Sequence, residues 1–127
     1  MPRPTIAIIG ASPDRTKFGN KAVRAYVLQG YDVYPVNPKA GVIEGLTAYR
    51  SLNEVPLASF DRISVYLPPA IGLAALDEIA TKECGELWLN PGSDSPEVVA
   101  KAQSLGLNVV QACSIVDVGV SPATLGE

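Results

Sequence analysis

Residues 5–20 read TIAIIGASPDRTKFGN, and this stretch decides the fold. The β-branched, apolar run Ile6-Ala7-Ile8-Ile9 reads as a strand with two apolar faces, as a strand buried inside a parallel sheet requires. It stops at Gly10. Ala11 to Lys17 form a loop of small, polar and basic residues, and a helical pattern opens at Phe18-Gly19. Strand, glycine turn and helix N-terminus together present backbone N–H groups to a phosphate. Lys17 and Arg15 add positive charge to that loop, and Ser12 and Thr16 add hydroxyls.

The remainder alternates in the same manner. From Phe18 to Gln29, Val23, Tyr26 and Val27 recur at helical spacing, and Gly30 stands where a C-cap glycine belongs. Tyr31 to Val36 is a second strand, with Pro35 suited to its end, broken by Asn37-Pro38-Lys39. Residues 40–56 are the least regular: Gly41 and Gly45 flank a short excursion, and Ser51-Leu52-Asn53-Glu54 caps one helical turn. Asp61 to Leu67 is the third strand, stopped by Pro68-Pro69. Ala70 to Lys82 is helical, with Leu73, Leu76 and Ile79 on one face. Glu86 to Leu89 is the fourth strand and ends at Asn90-Pro91-Gly92. The stretch Ser93-Asp94-Ser95-Pro96-Glu97 reads as the start of a helix that runs to Leu105 and closes at Gly106. Leu107 to Val110 is the fifth strand, and from Ala112 onward no pattern is readable. The whole, residues 1–127, is predicted to be one α/β domain. Its sheet is doubly wound, five-stranded and mainly parallel, with helices on both faces.

Composition narrows the function. The 127 residues suffice for a single core, and 47% are hydrophobic. A net charge of −3 and a pI near 4.9 argue against a general nucleic-acid binder, although Arg15, Lys17, Lys21 and Arg24 form a local basic patch. No apolar run approaches the roughly 18 residues of a spanning helix. Met1-Pro2-Arg3-Pro4 runs straight into a strand, which leaves no room for a leader, so the expected setting is the cytoplasm. The two cysteines, Cys84 and Cys113, lack metal-site spacing and suit a reducing compartment. There is no histidine, which removes His-based acid–base catalysis and most zinc sites. No catalytic residue and no metal ligand is expected.

In an open α/β sheet, ligands bind beyond the carboxyl ends of the strands. The residues predicted to converge there are Gly10, Ala11, Ser12, Asn37, Pro38, Lys39, Leu67, Pro68, Pro69, Asn90, Pro91 and Gly92, followed by Gln111-Ala112-Cys113. A dinucleotide fingerprint needs G-x-G-x-x-G and an acid about 20 residues later for the ribose. Here Ser12 replaces the second glycine, the loop is longer, and Lys39 stands at the end of strand two. That suits a nucleotide with a pyrophosphate and a further phosphate on its ribose. Coenzyme A and NADP both match.

The stretches GASPDRTKFGN, YPVNPK, LPP and WLNPG, in this order, resemble the stand-alone CoA-binding domain family from about Thr5 to Cys113. They are similar also to the CoA-binding domain of succinyl-CoA synthetase α subunits and of ADP-forming acyl-CoA synthetases. The resemblance implies a Rossmann-like fold with coenzyme A lying across the strand ends. Gly10, Ser12, Thr16, Lys17 and Gly19 would then surround the pyrophosphate, with Ala11 and Arg15 of the same loop also among the cofactor-binding residues. Asn37, Pro38 and Lys39 would border the adenosine and its 3′-phosphate. Leu67, Pro68 and Pro69 would line a wall, and Asn90, Pro91 and Gly92 would lie toward the pantetheine. Two departures stand out: Gln111-Ala112-Cys113 replaces an Asp-Arg-Cys common in the family, and Asn90 replaces a glutamine. The synthetases turn over through a histidine in a second domain, and this chain has none, so synthetase activity is not implied.

Three functions follow as expectations. The first is a cytosolic binding module for coenzyme A or an acyl-CoA, acting on a small-molecule ligand and not on nucleic acid or membrane. The second is an NADP-type redox protein. The third is a regulatory or partner subunit of an acyl-CoA synthetase. A mean hydropathy of +0.19 leaves room for a homo-oligomer face. Cys113 reads first as a small buried hydrophobe.

Overall fold

A computed structural model describes residues 2–126. The elements in chain order are β1 (Thr5–Ile9), α1 (Phe18–Leu28), β2 (Asp32–Val36), β3 (Val42–Ile43), β4 (Leu46–Thr47), β5 (Ser59–Val65), α2 (Pro69–Ile79), β6 (Glu83–Leu89), α3 (Pro96–Ser104), β7 (Val109–Gln111) and α4 (Ser114–Asp117). Five strands form one all-parallel sheet in the order β2-β1-β5-β6-β7, and β3 and β4 pair as a separate antiparallel hairpin.

β1 explains the two-faced core. Ala7 and Ile9 point to one side, where they meet Leu76 and Ile79 of α2 and Val98 and Ala102 of α3. Ile6 and Ile8 point to the other, against Ala22, Val23, Ala25 and Tyr26 of α1 and Ile115 of α4. An uninterrupted apolar run is needed because successive side chains leave a strand on opposite faces and both faces are covered here. Pro35 sits in β2, an edge strand, where its missing N–H costs no ladder bond.

Several boundaries differ from the sequence reading, for identifiable reasons. β6 begins at Glu83 because Ser59 and Phe60 extend β5 backward and pair with Glu83 and Cys84. The fifth strand is Val109–Gln111, in register with Leu87–Leu89, while the Leu107 N–H turns back to Ala102. α2 starts one residue early, with Pro69 in its first turn, where a proline lacks no needed donor. Val27, placed on the apolar stripe by periodicity, is 46% exposed; Val23 and Tyr26 carry the buried face. The excursion between Gly41 and Gly45 is the β3–β4 hairpin, with Glu44 at its tip at φ +50. The segment after Ala112 contains α4, whose Ile115 is fully buried.

The order β2-β1-β5 means the chain leaves β1 to one side and later returns on the other. Strand order therefore reverses at β1, and the loop that follows β1 lies at the point where such sheets bind ligands.

Candidate functional site

The β1–α1 loop is shaped by its own polar groups. The Ser12 hydroxyl accepts from the Asp14 amide (3.0 Å), and Asp14 Oδ1 accepts from both the Thr16 amide (3.0 Å) and its hydroxyl (2.7 Å). Those bonds, the hydroxyl's first, hold the Asp14 carboxyl below its usual range. Gly19 packs so close to the end of β1 that a Cβ there would overlap the Gly10 carbonyl oxygen. The glycine lets α1 start against the strand, as dinucleotide-type folds require of the glycine that opens the helix. Among the described residues the amides of Ser12, Phe18 and Gly19 find no acceptor, and the Lys17 and Lys39 ammonium groups pair with no carboxylate.

Arg15 and Arg24 do not join that open charge. Arg15 is ion-paired with Glu44 at the hairpin tip. Glu44 also accepts from Asn20 Nδ2 (3.1 Å), a buried side chain of α1 that donates as well to the Ser12 carbonyl (2.9 Å). Arg24 donates to Asn20 Oδ1, to the Arg15 carbonyl and to the Gly126 carbonyl. The basic patch anticipated from sequence is thus divided: two arginines fasten the loop, hairpin and C-terminal segment together, and Lys21 lies over the Phe18 ring.

The other predicted strand ends meet the loop. Asn37 Nδ2 donates to the Ala11 carbonyl (2.8 Å), while its Oδ1 accepts the amides of Lys39 and Ala40. Asn37 therefore builds the turn that presents Pro38 and Lys39, both exposed. Leu67 lies against Gly10, and its amide and carbonyl are both bonded by the buried hydroxyl of Ser93. Asn90-Pro91-Gly92 is a tight turn closed by the Ser93 amide on the Asn90 carbonyl (2.8 Å), with Gly92 at φ +96, a value a side chain would strain.

Asn90 is also the hub of a buried polar network that the sequence reading missed. Its Nδ2 donates to Ser64 Oγ (2.8 Å) and the Val65 carbonyl (2.9 Å), and its Oδ1 accepts the Ser114 amide (2.9 Å). Ser64 and Ser114 share a hydrogen bond of 2.7 Å, and the Tyr66 hydroxyl lies 3.2 Å from Ser114 Oγ. Burial raises the Tyr66 phenol well above its ordinary value. Tyr26 donates to the Ser114 carbonyl, and Arg62 joins Tyr26 to Glu86 and Asp117 while stacking on Trp88. One signal was available: Ser64 is a polar residue inside the apolar run Ile63-Ser64-Val65, which a fully buried strand admits only with partners. Above this network opens a cavity of about 190 Å³ lined by Phe18, Tyr66, Asn90, Pro91 and Cys113. Of the predicted site residues, the structure gathers the loop, Asn37 and Leu67 by direct contact and links Asn90 to them through β5. Pro68 and Pro69 are exposed at the start of α2.

The family model described as CoA binding domain matches residues 4–119. The chain belongs to that family. The α subunit of ADP-forming acetate–CoA ligase II from Pyrococcus furiosus is 30% identical over 118 residues, 83% of this chain and 25% of the subunit. This chain thus spans about a quarter of that relative. A conserved hypothetical protein from the same organism superposes with a TM-score of 0.78 at 31% identity, covering 91% of this chain and 98% of the other. A dinucleotide-forming acetyl-coenzyme A synthetase from Ca. Korarchaeum cryptofilum superposes with a TM-score of 0.72 at 27% identity, over 85% of this chain and 25% of that one. Among the described residues no helix is long and apolar enough to cross a membrane, and no cluster of His, Cys, Asp and Glu could hold a metal.

Proposed function

We propose that this chain binds coenzyme A at the carboxyl edge of its sheet and supplies no catalytic group of its own. The observation that carries this reading is the amides of Ser12, Phe18 and Gly19, which find no acceptor among the described residues, beside Lys17, which pairs with no carboxylate among them, at the point where strand order reverses. A pyrophosphate placed there satisfies those donors and meets a helix N-terminus. Membership of the CoA binding domain family supports the same ligand. Gly10, Ala11, Ser12, Thr16, Lys17 and Gly19 surround the pyrophosphate in this account, and Arg15 acts by holding the loop. Asn37 shapes the turn that offers Pro38 and Lys39 to the adenosine and its 3′-phosphate. Leu67, Pro68 and Pro69 form a wall, and Asn90, Pro91 and Gly92 guide the pantetheine. Two free thiols, Cys84 and Cys113, suit a reducing cytoplasm. Calorimetric titration of the reduced protein with CoA, with NADPH as comparator, tests the assignment: CoA is expected to bind and NADPH not to. Binding of NADPH as tight as that of CoA would contradict it.

A second reading, a partner subunit, is favoured by one observation: the match to a ligase α subunit covers only a quarter of that subunit. It predicts that tagged protein purifies with a larger chain carrying a histidine-dependent ligase half. A purified protein that stays alone, as monomer or homodimer, would count against it.

A further inference from the structure

The cavity beside the loop has a chemistry of its own. Phe18, Tyr66, Pro91 and Cys113 give it a mainly apolar lining. The oxygen and nitrogen atoms of its lining side chains are already used. Both ends of the Asn90 amide are bonded inside the protein, and the Tyr66 hydroxyl is bonded to Ser114. Of the side chains that line it, only the Cys113 thiol is without a hydrogen-bond partner among the described residues, and a thiol behaves as a small hydrophobe. A ligand group that needs hydrogen bonds gains nothing there; an apolar one gains by leaving water.

Position and size narrow the occupant. The cavity lies between the first residue of α1 and the ends of β5, β6 and β7. β6 and β7 stand two and three strand spacings from β1, about 10 and 14 Å. An arm that starts at the β1–α1 loop and runs along the strand ends arrives at it with its far terminus. An apolar protein cavity of about 150 Å³ accommodates benzene, so about 190 Å³ suits a chain of roughly six carbons.

We propose that this cavity is an acyl pocket, and that the preferred ligand is a short-chain acyl thioester of coenzyme A and not the free thiol. The proposal rests on the coenzyme A reading above. The test is a titration series of the unmodified protein with CoA and its acetyl, butyryl, hexanoyl and palmitoyl thioesters. Affinity should rise two- to fourfold per methylene, the upper figure being complete burial, and level off near six carbons. Cys113→Phe, which fills the cavity, should bring the ratio of hexanoyl-CoA to CoA affinity to about one. Should the variant not fold, the chain-length profile alone decides. Equal affinity for CoA and hexanoyl-CoA would overturn the pocket and leave coenzyme A binding intact. A gain continuing undiminished to palmitoyl would overturn it too, since the cavity cannot hold that chain. Binding of no member of the series would overturn both readings.

Discussion

Ser114 and Asn90 are joined by a hydrogen bond of 2.9 Å from the Ser114 amide to the Asn90 side-chain oxygen, across 24 positions of sequence. Through it, the four-residue helix α4 is fastened to the end of β6. A helix that short has no stability of its own. It is held by the buried Ile115 and by this network, which also fixes the backbone after Cys113.

Asn90→Ala should therefore cost about 2–3 kcal/mol, because it strands the Ser114 amide in the interior and takes a donor from the Ser64 hydroxyl and the Val65 carbonyl. Thermal unfolding should fall by roughly 10 °C. A change within experimental error would show that the network contributes nothing to stability.

Gly19→Ala places a methyl against the Gly10 carbonyl, a backbone atom that cannot swing aside. It should destabilise by at least about 2 kcal/mol and weaken coenzyme A binding as α1 is pushed from β1. Gly41→Ala meets nothing within 4 Å and should stay within about 0.5 kcal/mol of the parent. Denaturant midpoints of the two variants make the comparison.

Glu44 places a carboxylate beside the loop that offers itself to phosphate. Glu44→Gln keeps an acceptor for Asn20 while releasing Arg15. Coenzyme A binding should tighten by roughly threefold to tenfold at low salt, with the gain shrinking as ionic strength rises. Weaker binding would show that the hold of the Arg15–Glu44 pair on the loop outweighs the negative charge it places there.

Cys84 links the structure to alkaline pH. Burial is the main reason its thiol is pushed up to about 11 from about 9; its Sγ–H donates to the Glu86 carbonyl. A folded-state pKa above the unfolded value means that the folded state holds the proton longer. The thiol's contribution is whole below about pH 9 and is lost as pH rises toward 11. Stability of the parent should fall over that window, and Cys84→Ala should flatten part of the fall. Identical pH profiles would remove Cys84 from the account.

The elements legible in the sequence are those with a repeating physical cause. β1 was readable because both its faces are buried, and the opening of α1 because Gly10 and Gly19 bracket a polar loop. The strand ends were placed at one edge by the logic of parallel sheets. What escaped lacks periodicity. β3 and β4 are two residues each, and their hairpin is tied down by Glu44 to Arg15 and Asn20, partners 24 to 29 positions away. α4 depends on bonds to Ser64, Tyr66 and Asn90, none of them local. Arg15 reads as a phosphate-facing charge in the sequence, and nothing there reveals that Glu44, 29 positions away, pairs with it.

The most direct test of the central claim is a four-way titration: CoA and 3′-dephospho-CoA, each with the parent and with Lys39→Ala. Lys39 is exposed and pairs with no carboxylate among the described residues. If it meets the 3′-phosphate, removing either partner should weaken binding by roughly fivefold to tenfold, and removing both should cost no more than removing one. Losses that simply multiply, or no binding of CoA by the parent, would contradict the account.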